Sequence, residues 1–143
     1  MDELDRRILD HLREDARTSF DAIGAAIGLS ASAVKRRVDR MKASGVIRRF
    51  TVDVDPAVDE HATEAYVELF CRGTVSPSEL KRALAGIPEV VDAGTITGEA
   101  DAIVRIRSRD VPSLEQALER IRLAPNVERT RSAVLLSRLV ERG

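Results

Sequence analysis

An α+β fold in two parts is predicted by three observations on the 143-residue sequence. The first fifty residues repeat apolar side chains at helical spacing and are interrupted by Gly28-Leu29-Ser30. The stretch from Thr63 to Leu136 spells strand, helix, strand, strand, helix, strand. Charge changes sign between them: eleven Lys/Arg face eight Asp/Glu in residues 1–50, whereas Thr51 to Glu68 holds six acids and no base. Residues 1–50 are therefore expected to form a helix-turn-helix domain, 51–62 a linker with a short strand, and 63–143 a ferredoxin-like βαββαβ domain with a four-stranded antiparallel sheet.

Leu4, Ile8, Leu9 and Leu12 share one face, which predicts a first helix from Asp2 to Arg13 with Asp2, Glu3 and Asp5 in its favourable acidic first turn. Thr18-Ser19 offers a cap, and Asp21 stands three residues after Thr18 as in a capping box. Ile23, Ala26 and Ile27 line a short second helix. Gly28 stops it, Leu29 plugs the turn and Ser30 caps a third helix running from Ala31 to Ser44. There Val34, Val38 and Met41 form one apolar stripe, while Ser32, Ala33, Arg36 and Arg40 point the opposite way with Lys35 and Arg37 beside them. Gly45 ends this helix, and Phe50, Val52 and Val54 alternate as a strand does.

In the second half, Ala65, Val67, Leu69 and Cys71 alternate with Glu64, Tyr66, Glu68 and Phe70. Ser76-Pro77-Ser78-Glu79 combines an N-cap, a first-turn proline and a capping-box acid, and Leu80, Ala83, Leu84 and Ile87 follow at i, i+3, i+4, i+7. Pro88 is expected to break that helix. Strands are expected over Val90 to Thr97 and Ala102 to Arg107, joined by Gly98-Glu99-Ala100-Asp101. Leu114, Ala117, Leu118 and Ile121 mark the second helix, and Val127 to Leu136 the last strand. Two right-handed crossovers would place both helices on one sheet face. Tyr66, Phe70, Val134 and Leu136 are expected on the other, a half-apolar surface that would pair with its own copy about a two-fold axis.

A single cysteine, Cys71, rules out an intrachain disulfide framework, and two histidines rule out a histidine-rich metal site. No metal, cofactor or membrane partner is expected. The acidic start lacks the charge of a signal peptide, and no apolar stretch approaches about 20 residues, so a cytoplasmic protein is expected. The overall net charge of −1 does not announce a nucleic-acid binder, so any basic surface must be local. Such a surface exists on the third helix, whose cations lie opposite an apolar stripe and suit the major groove of double-stranded DNA. A basic helix alone is as often a solvated face. Combined with the Gly28-Leu29-Ser30 turn, it makes Ser30, Ser32, Ala33, Lys35, Arg36, Arg37 and Arg40 the candidate DNA-binding residues.

Asp5-Arg6-Arg7-Ile8-Leu9, Asp15-Ala16-Arg17, Gly28-Leu29-Ser30-Ala31-Ser32, Arg37-Val38, Gly45-Val46-Ile47 and Gly98-Glu99-Ala100-Asp101 together resemble the Lrp/AsnC (leucine-responsive/asparagine regulator, feast/famine) family of transcription factors. The resemblance spans nearly the whole chain. It implies a DNA-binding helix-turn-helix, a linker strand around Phe50 to Val54 that pairs between protomers, and a C-terminal domain that dimerises and stacks into tetramers or octamers. It also implies an effector, usually an amino acid, bound between dimers at Thr97, Gly98, Glu99, Ala100 and Asp101, with Thr130 and Ser132 contributed by a neighbouring subunit. Gly98 would let backbone amides approach a carboxylate, and Asp101 with Glu99 would accept from an ammonium group. Ala100 departs from the Tyr or Phe of many relatives and would leave the pocket enlarged, altered or unused.

Three other readings compete. A ligand-independent architectural DNA binder uses both halves of the chain. A free-standing amino-acid sensor leaves the helix-turn-helix idle. An enzyme would need Glu99 and Asp101 as an acid/base pair or Cys71 as a nucleophile, yet neither histidine has a dyad partner and Cys71 falls on the inward strand face, so no catalytic residue is assigned.

Overall fold

The computed structural model describes residues 1–55, 58 and 63–140, which divide into two compact units, Met1–Val52 and Asp53–Gly143. The first holds α1 (Glu3–Glu14), α2 (Phe20–Ile27) and α3 (Ala31–Ala43). Their apolar stripes meet in a core of Ile8, Leu12, Ile23, Ile27, Val34, Val38 and Met41, with Leu9, Phe20, Leu29 and Ile47 packed at its margin. Ile8, Ile23 and Val34 are fully buried, and burial of side chains of this size contributes roughly 1.5 to 3 kcal/mol each.

The turn between α2 and α3 follows from its glycines. Gly28 adopts φ +76° at the end of α2, and a Cβ on Gly24 would lie only 2.3 Å from the Leu29 carbonyl oxygen. Ser30 caps α3 by accepting from Ala33 N–H at 3.2 Å. The cap of α2 corrects the expectation at Thr18: it is Ser19 whose Oγ accepts from Ala22 N–H at 3.1 Å, which leaves Asp21 one residue too near to complete a capping box. The expected strand at Phe50, Val52 and Val54 does not form. These side chains remain exposed, because an extended segment becomes a strand only when a partner takes its backbone groups. Of the linker assigned to 51–62, positions 56, 57 and 59–62 lie outside the described residues.

The second unit contains β1 (Thr63–Cys71), α4 (Pro77–Ala85), β2 (Val90–Thr95), β3 (Ala102–Ser108), α5 (Val111–Arg122) and β4 (Val127–Val134). Its four strands are antiparallel in the order β2-β3-β1-β4, the split βαββαβ arrangement. Ala65, Val67 and Leu69 of β1 pack with Leu80, Leu84 and Ile87 from the first crossover and Leu114, Ala117 and Ile121 from the second, so both helices cover one sheet face. The capping box of α4 forms as its sequence demands, with Ser76 and Glu79 bonded reciprocally. The helix ends at Ala85 with Gly86 as its C-cap, two residues before Pro88.

The open sheet face differs from the expectation. Val134 pairs with Ala65 and therefore shares the helix side, because directly opposed residues of an antiparallel pair lie on one face. Phe70 is buried rather than exposed, for the Arg129 guanidinium lies 3.8 Å from its ring centroid and Arg131 5.9 Å. Arg105 and Arg138 pair with Glu64, and Arg131 with Glu68. The face is thus a charged, internally paired surface around a half-exposed Tyr66. Leu136 lies beyond the end of β4.

Candidate nucleic-acid interface and effector loop

The side chains of α3 divide by helical geometry. At 100° per residue, Arg36 stands about 170° from the centre of the Val34-Val38-Met41 stripe, Arg40 about 130° and Arg37 about 70°. Arg36 is exposed and has no ion-pair partner among the described residues. Ser32 is also exposed, and its hydroxyl lies 3.1 Å from that of Ser30. Lys35 reaches Asp39 at 2.6 Å across one helical turn, an exposed pair that solvent screens strongly.

Arg37 turns the other way. Its Nη1 donates to Asp2 at 2.7 Å and to Asp5 at 2.8 Å, while Arg40 Nη2 donates to both Asp5 carboxylate oxygens at 3.1 and 3.2 Å. Asp5 is only 2% exposed. Burial pushes its carboxyl pKa up, but the Asp2 N–H, the Arg37 bond and the charges of Arg40 and Arg37 outweigh burial and lower it to about 2. Asp2 and Asp5 also cap α1 reciprocally. Sequence reasoning placed both acids at the helix dipole and missed their role as partners of α3. The alternation of charge along α3 gives no sign of which cation turns inward; the signal lies in the 70° offset of Arg37 from the stripe.

The loop of the second unit joins β2 to β3. Gly98 has φ +112°, where a glycine is favoured, and Thr97 and Glu99 are exposed. Asp101 ties the loop to β1: its N–H donates to Leu69 O at 2.9 Å and its Oδ2 accepts from Cys71 N–H at 2.7 Å. Ala100 is buried at 5% exposure. Burial, with the nearby Asp101 charge, pushes the Cys71 thiol up, away from the thiolate a nucleophile needs. Thr130 and Ser132 lie on β4, separated from β3 by β1, so the chain does not bring them to the loop by itself. Thr130 instead accepts from Arg122 Nε at 3.3 Å. Arg131, the residue between Thr130 and Ser132, bonds Glu68 on β1, and its pKa is raised first by that bond, with a smaller contribution from the charge of Glu99.

The sequence matches two family models, an AsnC-type helix-turn-helix domain over residues 1–42 and an Lrp/AsnC ligand binding domain over 64–143. The chain belongs to the Lrp/AsnC family. Among its relatives, the HTH-type transcriptional regulator Rv2324 of Mycobacterium tuberculosis is 51% identical over 99% of this chain and 96% of its own length. The crystal structure of the leucine response regulatory protein LrpA of the same organism superimposes with a TM-score of 0.86 at 30% identity, covering 99% of this chain and 96% of that one. Similar too is the feast or famine regulatory protein Rv3291c from M. tuberculosis complexed with L-methionine, with a TM-score of 0.84 at 30% identity over 98% and 95% of the two chains. As an Lrp/AsnC protein the chain is a DNA-binding transcriptional regulator, from a family of regulators rather than enzymes. Among the described residues no helix is long and apolar enough to cross a membrane.

Proposed function

We propose that this regulator reads duplex DNA through the outward face of α3, with Ser32 and Ala33 allowing close approach to base edges and Lys35, Arg36 and Arg40 meeting phosphates or guanine edges. The observation that carries the reading is Arg36, an exposed cation opposite the packed stripe of a capped helix that follows a tight turn. Ser30 serves the same face as its N-cap. The test is fluorescence anisotropy of a labelled duplex titrated with the full chain. Saturable binding that weakens with added salt is expected, and absence of binding at low salt contradicts the reading.

The Thr97–Asp101 loop is proposed to take an amino acid, with Thr130 and Ser132 supplied by a second copy in a homodimer that assembles further into a tetramer or octamer. Support comes from the match to the ligand binding domain and from the methionine complex of a related regulator. Backbone amides around Gly98 would receive the carboxylate, and Glu99 the ammonium. Asp101 and Ala100 favour a second reading, a ligand-independent regulator, since that carboxylate already accepts from Cys71 and that methyl is buried. Calorimetric titration with the twenty amino acids, methionine first, separates the two: binding supports the effector site, and silence from all twenty leaves the ligand-independent regulator.

A further inference from the structure

We propose that Arg37 is a positioning residue that fixes the DNA-reading helix α3 through the buried Asp5 carboxylate, and that the same carboxylate holds Arg40 poised for a phosphate. The proposal rests on the DNA-binding reading of α3 and divides its cations by task. An apolar stripe such as Val34, Val38 and Met41 sets the distance between packed helices, yet dispersion contacts are non-directional and leave rotation and sliding weakly fixed. Hydrogen bonds are directional. Asp5 sits at the third position of α1, already held by its own reciprocal cap with Asp2, whose N–H donates to it at 3.0 Å.

Onto this anchored carboxylate come Arg37 and Arg40, from residues 32 and 35 positions away and one turn apart on α3. Arg37 also bridges to Asp2 at 2.7 Å, so one guanidinium spans both capping acids. A buried carboxylate without partners is costly, and here each oxygen has a donor, so the arrangement is specific to one rotation of α3. The two arginines end differently. The Arg37 side chain is 20% exposed and committed to acids, whereas that of Arg40 is 62% exposed with one nitrogen turned to Asp5. Arg40 can therefore keep its orientation and still meet a phosphate.

The test is anisotropy of a fluorescein-labelled duplex of roughly 30 mixed-sequence base pairs, titrated with the unmodified full chain and with Asp5→Asn, Arg37→Lys, Arg37→Ala and Arg40→Ala over a KCl series. Measurements are made at a temperature where circular dichroism shows equal helical content. Asp5→Asn removes a negative charge near DNA and keeps every cation, so simple electrostatics favours tighter binding. The positioning role requires the opposite, several-fold weaker binding. Arg37→Lys and Arg37→Ala should weaken binding with the log-log salt slope unchanged, while Arg40→Ala should flatten the slope by about 0.9. Binding by Asp5→Asn equal to or tighter than that of the unmodified chain overturns the proposal, as does a slope lowered by Arg37→Ala as much as by Arg40→Ala. If Asp5→Asn loses its helices, Arg37→Lys decides, and binding equal to the unmodified chain overturns it. An unmodified chain that binds no DNA instead removes the reading on which the proposal rests, and the proposal with it.

Discussion

Asp5 is buried in the first unit with Arg37 and Arg40 bonded to its carboxylate, and its chemistry makes a signed expectation. Its folded pKa of about 2 lies below the ordinary 3.8, so its ionised form stabilises the fold above the ordinary value, and that contribution is lost as pH falls from 3.8 towards 2. The difference corresponds to about 2 kcal/mol. Thermal melts of the unmodified chain and of Asp5→Asn should therefore lie furthest apart near neutral pH and converge between pH 4 and 2. A gap that does not change over this range contradicts the assignment. The outward direction of Arg36 was legible from helical spacing alone. For Arg37 the same spacing indicates the inward turn but not its partners, because both lie more than thirty residues away, and only the packing of α1 on α3 brings them within bonding distance. Asp101 shows the same limit: its residue type suggested a ligand contact, while its backbone partner on β1 depends on the sheet order.

Among the elements, the α2–α3 turn is built around an approach that only glycine tolerates. Gly24 is in a helix, so its cost is steric rather than conformational, and an added methyl meets the Leu29 backbone oxygen head-on. Gly24→Ala should destabilise the first unit by about 1 to 3 kcal/mol, the usual cost of overpacking, and lower its melting temperature; an unchanged melt sinks the steric account. In the second unit, Ser76→Ala removes a capping box and should cost about 1 kcal/mol, read as a fall in the urea midpoint at constant m-value. Helices and caps were the most legible elements, since local pattern determines them: Ser30 caps α3 and Ser76 caps α4 as their spacing indicates. Adjacent candidates blurred the reading at Thr18-Ser19. The segment at Phe50 to Val54 carries a strand's alternation without a strand's partner, a distinction that no local pattern contains.

For the whole molecule, the two-part α+β order followed from the change in charge and the βαββαβ sequence of elements, and the Lrp/AsnC match agrees with it. The character of the open sheet was less legible, because alternation places Phe70 outward but says nothing of the arginines on β4 that cover it. A second copy is still expected there and along Phe50 to Val54, where apolar side chains stand exposed. Light scattering at micromolar concentration should report a dimer or larger, and Tyr66→Glu should lower that mass; a monomeric unmodified chain contradicts the assembly.

The central claim is that the outward cations of α3 hold DNA, and Arg36 tests it most directly because it has no structural partner among the described residues to lose. The measurement is the salt dependence of duplex binding by the unmodified chain and by Arg36→Ala. Arg36→Ala should melt as the unmodified chain does, bind more weakly, and show a log-log slope smaller by about 0.9, the signature of one lost phosphate contact. Equal affinity and an equal slope would place the DNA surface elsewhere on the molecule.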